Sequence, residues 1–490
     1  MDSRPGSTRS SRPDAGADPA GHAPVVALSA RSGRAVIAAA VFGSALAYMS
    51  DDMLNVALPT LADDLDVGVT GAQWVVNGYF VTMLSLMLVA GSIGDIRGHR
   101  RTFLEGLGVF TLGAVVCASA PVIATLVVGR AIQGVGAALV LASGLALVHA
   151  SFGEEERSRA IGLYMGLTAV STAVGPMFGG VLVDVISWRA IFVAPLVFPV
   201  LAAVITVVGV PEAPTTAGRR PDAGSAGLAL VTIAAFSVAL IGGPADWLRP
   251  EVLAAIAVAV IGGVSFVVRQ RRADDPMLPL GLFGDRTFAG GNVITLVSFT
   301  ASAGVFFFVV VHLQSTLGFE AAEAGAALVP LYAIMLIGSP LAGHLADQVG
   351  AKAPIAVGLV TFGAGAWWLS TVQAGSGYVT EFLPGLIVLA VGLATFGAPL
   401  TAATLGAAGE DEQGIASGVN NTVGQMGGLV MIAVLPVAAG LSGASFEGPA
   451  FADGYETAMR ICALLALASA VVATVTIRTT GAPTTPRATS

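Results

Sequence analysis

The chain is 490 residues long, with 55% hydrophobic and only 11% charged residues, where soluble domains carry roughly 25% charge. That balance excludes water as the main solvent, and the lack of any long basic face excludes a nucleic-acid binder. The formal net charge of -8 says little about partners, because the charges sit in loops and tails, where sidedness matters more than the sum.

Residues 1–33 are rich in Ser, Arg, Pro, Gly and Asp and lack the apolar run of a cleavable signal, so a disordered cytoplasmic tail is expected there. From Val36 onward, apolar stretches of the roughly 20 residues that a membrane helix needs recur with short breaks. Spans are expected near 35–58, 72–94, 102–120, 122–149, 158–183 and 189–210, which together form a six-helix half over 34–210. A polar segment from Pro211 opens a linker with two inserted spans near 226–243 and 251–268, the unit covering 211–272. A second six-helix half over 273–477 has spans near 287–311, 323–346, 353–372, 381–405, 414–440 and 456–477, and 478–490 reads as a second cytoplasmic tail. The expected fold class is an all-α polytopic membrane protein with spans arranged six plus two plus six.

Two further patterns support this layout. With the N-terminus inside, Arg97, Arg100, Arg101, Arg269, Arg271, Arg272 and Lys352 fall with most other basic residues on the inner side. Only Arg189, Arg249 and Arg460 fall outside, as the positive-inside rule requires. The loop GSIGDIRGHR, with Gly91, Asp95 and Gly98, returns as GHLADQVGAK, with Gly343, Asp347 and Gly350, at an offset of 252 residues. Ala160-Ile161-Gly162 is echoed by Ala416-Ser417-Gly418 at an offset of 256, so two related halves are expected.

Charged side chains inside a membrane are costly and mark function by default. Arg130 alone among the basic residues is left within a span. It lies about 13 Å from the outer end of the fourth span, and Asp51 and Asp52 lie about 11 Å from the outer end of the first, at 1.5 Å per residue. Asn55 is three and four residues beyond these acids and Gln133 three beyond Arg130, so each shares a helix face with its neighbour. Asn77 with Gln73, and Asn421 with Gln425, offer further hydrogen-bonding groups, either to substrate or as packing contacts between helices. Gly175, Pro176, Gly179 and Gly180 permit close helix approach and a bend. His312 is flanked by apolar residues and reads as structural, and Cys117 and Cys462 lie in apolar runs and read as small hydrophobes. No phosphate-binding loop, metal-ligand spacing or cofactor motif is present, so no cofactor, metal or enzymatic activity is expected.

The residues at this point resemble the major facilitator superfamily, and within it the fourteen-helix drug/proton antiporter branch. GSIGDIRGHRR at 91–101 looks like its cytoplasmic loop signature, LVVGRAIQGVGAA at 126–138 like its fourth-helix signature, STAVGPMFGG at 171–180 like its antiporter signature in the fifth helix, and NVALPTLADDL at 55–65 like the first-helix signature of the branch. The pattern departs at Ser50, where the family usually has Asp and where Asp51 and Asp52 follow, turned by about 100° and 200° around the helix. It departs again at Ile96 in the loop and at Ser171 in the fifth helix.

The resemblance implies a major facilitator fold in a bacterial inner membrane, with both termini cytoplasmic and the chain acting as a monomer. It also implies export of a small amphipathic substrate in exchange for protons. An importer or uniporter of one metabolite, or a membrane sensor without transport, is the alternative. Under the same resemblance Asp51, Asp52 and Arg130 border the central cavity and couple protons, because burial favours the neutral acid and a nearby Arg the charged one. Which acid carries the proton is open. Tyr48, Asn55, Asn77, Gln133, Asn421 and Gln425 are expected to meet substrate. Gly91, Asp95, Gly98, Arg101 and Asp347 are expected to gate the inner side, and Gly175, Pro176, Gly179 and Gly180 to seal the two halves. The inserted pair is expected to pack peripherally.

Overall fold

The computed structural model describes residues 26–211, 223–243, 247–273, 276, 278, 280–408, 413–441 and 449–478. Among these the secondary structure is helix and turn, with no strand. This is the form that satisfies every backbone group where water is excluded.

The first half comprises α1 (Arg31–Asp64), α2 (Val69–Arg97), α3 (His99–Ala118), α4 (Ile123–Ser151), α5 (Glu154–Val185), α6 (Ala190–Val193) and α7 (Val197–Gly209). The last two are one span interrupted by a tight turn at Ala194–Leu196, where Pro195 removes a helix donor. The inserted pair is α8 (Ala223–Gly242) and α9 (Pro250–Arg272). The second half comprises α10 (Arg286–Ser315), α11 (Ala321–Ala327), α12 (Val329–Val349), α13 (Lys352–Leu369), α14 (Leu383–Gly406), α15 (Gln413–Ala438) and α16 (Pro449–Thr476). Among the described residues, ten helical stretches are long and apolar enough to cross a membrane.

Local chemistry sets several of these boundaries. The Asp285 carboxylate accepts from the Thr287 and Phe288 amides at 2.7 and 3.1 Å, capping α10. Glu320 and Glu323 form a capping box that starts α11. Both α2 and α12 end on a glycine with positive φ, Gly98 at 89° and Gly350 at 85°. Each donates its amide to the carbonyl four residues back at 2.9 Å. A side chain with a Cβ would be strained there, so the repeated loop motif is a repeated helix stop.

The repeat continues into packing. A Cβ on Gly106 would meet Leu139 and Val140 of α4, and one on Gly113 would come within 2.6 Å of the Gln133 amide nitrogen. In the second half Gly358 and Gly365 occupy the same places on α13 and press on α14, at Phe396 and Leu389. The facing glycines, Gly136 on α4 and Gly392 on α14, lie against Phe110 and Phe362 in turn. Small residues let these two helix pairs touch backbone to backbone, the usual basis of packing where lipid offers no hydrophobic drive.

The two halves meet most closely at the end of the bundle where α1 finishes at Asp64. There α5 lies against α11, α1 against α10, and α2 against α15. The inserted pair departs from its peripheral expectation in one respect. α9 packs mainly on α8, but α8 packs on α2 and on α15, one helix from each half.

Candidate functional site

The site grows from Arg130, whose side chain is fully buried on α4. Its Nη2 donates to Asp51 Oδ1 of α1 at 2.9 Å, its Nη1 to Gln133 Oε1 at 3.3 Å, and its Nε to the Val75 carbonyl of α2 at 3.3 Å. The guanidinium also lies over the Tyr79 ring, 4.3 Å from its centre. Tyr79 is fixed in turn by a 3.0 Å bond from its hydroxyl to the Ala47 carbonyl. A guanidinium must place its donors when water is excluded, and three helices supply the acceptors. Asp51 keeps 17% of its side chain exposed, so the pair is not sealed on every side.

Asp52 points elsewhere, as the turn of about 100° per residue requires. Its Oδ2 is buried without a hydrogen-bond partner. The α5 backbone passes close by, for a Cβ on Gly175 would stand 3.1 Å from the Asp52 Cβ. A Cβ on Gly179 would stand 2.9 Å from the Met53 Cα. These glycines therefore bring α5 against α1 beside the acids. Gly180 and Pro176 face the other way, onto Ala321 and Gly325 of α11 in the second half.

The other sequence-selected residues divide around this centre. Gln133 joins it directly. Asn77 on α2 is fully buried, and both side-chain amide atoms lack a partner. The Tyr48 hydroxyl meets the Asn421 side chain of α15, across the interface between halves. Asn55 and Gln425 are half-buried. His312 is buried and stacks on Tyr455, with ring centres 3.7 Å apart.

At the opposite end of the bundle, Gly91 and Gly343 have open space around them and Asp347 is exposed. Arg101 pairs with Glu105 on its own helix at 3.0 Å. The Asp95 side chain lies outside the described residues.

The other end of the bundle holds contacts between the halves. Asp184, at the close of α5, accepts from the Ala321 and Ala322 amides at 3.3 and 2.7 Å, capping α11 from the other half. Gln73 Nε2 donates to the Ile432 carbonyl at 2.7 Å, and Gln314 Nε2 to the Val56 carbonyl at 3.0 Å, and both bonds cross the same interface. Gln73, expected to bond either substrate or a neighbouring helix, makes the second kind of contact, whereas an acid just outside an apolar run and Gln314 at a helix end carry no pattern of their own, so only the tertiary fold reveals their contacts. Tyr79 was missed for the same reason, since an aromatic on a membrane helix is ordinarily core.

With this geometry in place, the comparisons decide the family. The chain matches the profile of the Major Facilitator Superfamily over residues 40–431, and again over 291–489. It belongs to the major facilitator superfamily. It is accordingly a multi-pass membrane transporter and not an enzyme. It is similar to the multidrug resistance protein Stp of Mycobacterium tuberculosis, 34% identical over 395 residues covering 80% of this chain and 73% of the relative. It is similar also to the tetracenomycin C resistance and export protein of Streptomyces glaucescens, 31% identical over 89% of this chain and 80% of that one. The cephamycin export protein CmcT of Amycolatopsis lactamdurans is 32% identical over 87% of this facilitator and 89% of its own length. In fold, a bacterial homologue of the human lysosomal transporter Spinster, solved inward-facing and occupied, superposes with a TM-score of 0.66 at 16% identity, over 92% of this chain and 98% of that one.

Proposed function

We propose that this facilitator exports small amphipathic compounds, antibiotics among them, in exchange for protons by alternating access. In this reading fourteen helices cross the membrane, both termini are cytoplasmic, and the chain works as a monomer. The Asp64 end is then the outer face, held shut by α5 on α11, and the central site opens toward the cytoplasm. The relatives named for resistance and export support the direction of transport.

The observation that carries the reading is the Arg130–Asp51 pair at 2.9 Å beside a second carboxylate whose Oδ2 has no partner. In this reading Asp51 is paired with Arg130 while the site faces the cytoplasm. Substrate enters in this state. When the halves rock and the outer side opens, a proton from outside neutralises an acid at the centre, loosens the hold of Arg130, and favours release of substrate. Return to the inward state discharges the proton. Asp51 and Asp52 are both placed to take part, with Asn77, Tyr48 and Asn421 lining the path. Gly175 and Gly179 keep α5 tight on α1, so that protons do not leak past the acids. Gly91, Gly98, Asp95, Arg101 and Asp347 form the inner gate.

Drug susceptibility of a sensitive bacterial host carrying wild type, Asp51→Asn, Asp52→Asn or Arg130→Ala tests the assignment. Wild type is expected to raise tolerance to at least one amphipathic antibiotic. Arg130→Ala and Asp51→Asn are expected to abolish that protection at equal membrane abundance, and Asp52→Asn to reduce it. Truncating one member of a buried ion pair costs about 3–5 kcal/mol, so abundance must be measured alongside. If both single Asp variants protect as well as wild type, neither acid couples the proton.

A further inference from the structure

Two glutamines reach across the seam between the halves, one from each side. Gln73, in the second turn of α2, is buried with 6% of its surface exposed, and its Nε2 donates to the Ile432 carbonyl of α15 at 2.7 Å. Gln314, in the last turn of α10, donates through its Nε2 to the Val56 carbonyl of α1 at 3.0 Å. Both acceptors are backbone atoms inside long helices, where a carbonyl ordinarily takes its bond from the amide four residues on. The sequence explains why Ile432 is open to a side chain. Four residues beyond it stands Pro436, which has no N–H to give. Val56 is next to Asn55, the residue whose carbonyl Pro59 leaves without its donor in α1, so this turn is loosened too.

Gln73 also belongs to a row. Asn77, one turn further in, is fully buried with both amide atoms unpartnered. Phe80 follows, and a Cβ on Gly428 of α15 would stand 3.7 Å from its ring. The three are spaced four and three residues apart, so they share one face of α2, and the contacts of Gln73 and Phe80 lay that face on α15. The Ile432 carbonyl is thus covered by the other half of the molecule, where an acceptor without a donor is costly. Gln73 meets this need only while α2 and α15 lie together. Once they part at this end, water reaches both the carbonyl and the amide and replaces the bond.

From this geometry we infer that Gln73 and Gln314 lock the outer gate, holding the halves together at the Asp64 end until the transporter turns outward. The role rests on the reading of that end as the outer face. Each half sends one glutamine to a proline-loosened turn of the other, so the halves cannot part at this end without breaking both bonds. Such a lock opens to water but resists opening to lipid, because only water offers the stranded carbonyl a new donor. It also separates Gln73 from Asn77 on the same face: Gln73 holds one state of the protein, whereas Asn77 lines the path.

Pulsed electron spin resonance on the full-length protein in lipid nanodiscs tests the lock. Spin labels are carried on Gly68→Cys and Ala438→Cys, both exposed at the ends of α2 and α15, while the native Cys117 and Cys462 are buried. Gln73→Leu is made in the wild-type chain and again in Pro436→Ala, where the helix supplies Ile432 with an amide of its own. In both backgrounds Gln73→Leu is expected to enlarge the population with the longer distance by about two- to tenfold, the scale of one net hydrogen bond. The unfolding temperature is expected to fall in the wild-type background alone, because only there is the carbonyl left without a donor. Gln314→Leu is expected to lengthen the same distance. Lengthening confined to the wild-type background makes Gln73 a filler for a bare carbonyl and overturns the proposal, as does an unchanged distance in both. If Gln73→Leu fails to fold in the wild-type chain, an unchanged distance in the Pro436→Ala background is enough to overturn it. A wild-type distance in Gln314→Leu removes Gln314 from the lock. The distances involve neither antibiotic nor proton gradient, so the lock can fail while the export reading stands, and export can fail in drug susceptibility while the distances respond.

Discussion

Around Arg130, each contact has a different origin in the chain: hydrogen bonds to a backbone carbonyl of α2, an amide of its own helix and a carboxylate of α1, and a cation–π contact with the face of Tyr79. Such a charge is stable only while its partners are in place, so loss of the Asp51 carboxylate would leave it uncompensated. Asn77 is the complementary case, buried with both amide atoms unpaired. A buried polar group without partners costs about 1–3 kcal/mol. Asn77→Leu is therefore expected to leave thermal stability unchanged or slightly raised, while transport of a protected antibiotic falls. A loss of stability with transport intact would make Asn77 a packing residue. Arg130 was legible in the sequence because it is the one basic residue stranded in an apolar run. The choice between Asp51 and Asp52 was not, since it depends on the rotation of α1 about its axis, which neighbouring positions in a list do not convey.

The helices themselves were mostly legible, because runs of about 20 apolar residues leave few alternatives. What the runs concealed was how they end and divide. α1 extends from Arg31 to Asp64, well beyond its apolar core, and Pro195 and Pro330 fall where single spans break into two pieces. The repeat was visible at its loop and at the start of the fifth and thirteenth spans, yet it extends to glycine contacts that periodicity cannot reveal. Gly136→Ala and Gly392→Ala occupy equivalent positions, each pressing a new Cβ on the backbone of a neighbouring helix. Both are expected to destabilise the protein, by about 1–3 kcal/mol, and to a similar degree in thermal unfolding. A marked difference between them would break the equivalence of the halves. The α5–α11 contact makes a separate prediction. A Cβ on Gly325 would stand 2.8 Å from the Met177 Cα, so Gly325→Leu holds the two helices apart. Spin labels on the ends of α5 and α11 should report a longer distance, with transport lost, whereas Gly108→Leu, in open space, should change neither. An unchanged distance in Gly325→Leu would remove this contact from the gate.

Across the whole molecule, two halves of one design carry different chemistry. The positions of α14 that match Arg130 and Gln133 under the 256-residue offset are Leu386 and Leu389, both fully buried. The polar centre thus belongs to the first half, and the second supplies the surface against which it closes, through α10, α11 and α15. α8 spans the seam between them, a placement that composition gave no means of predicting, because an apolar helix looks the same beside one half or beside two. In the proposed exchange cycle, rocking of the halves exposes one polar centre to either side in turn. The direct test is proton movement in inverted membrane vesicles carrying the protein, with an imposed pH gradient followed by a fluorescent dye while antibiotics are added. The account predicts that an antibiotic to which the protein confers tolerance dissipates the gradient, and that Asp51→Asn and Arg130→Ala vesicles show no such response. Transport of that antibiotic at the same rate with and without the gradient would contradict it.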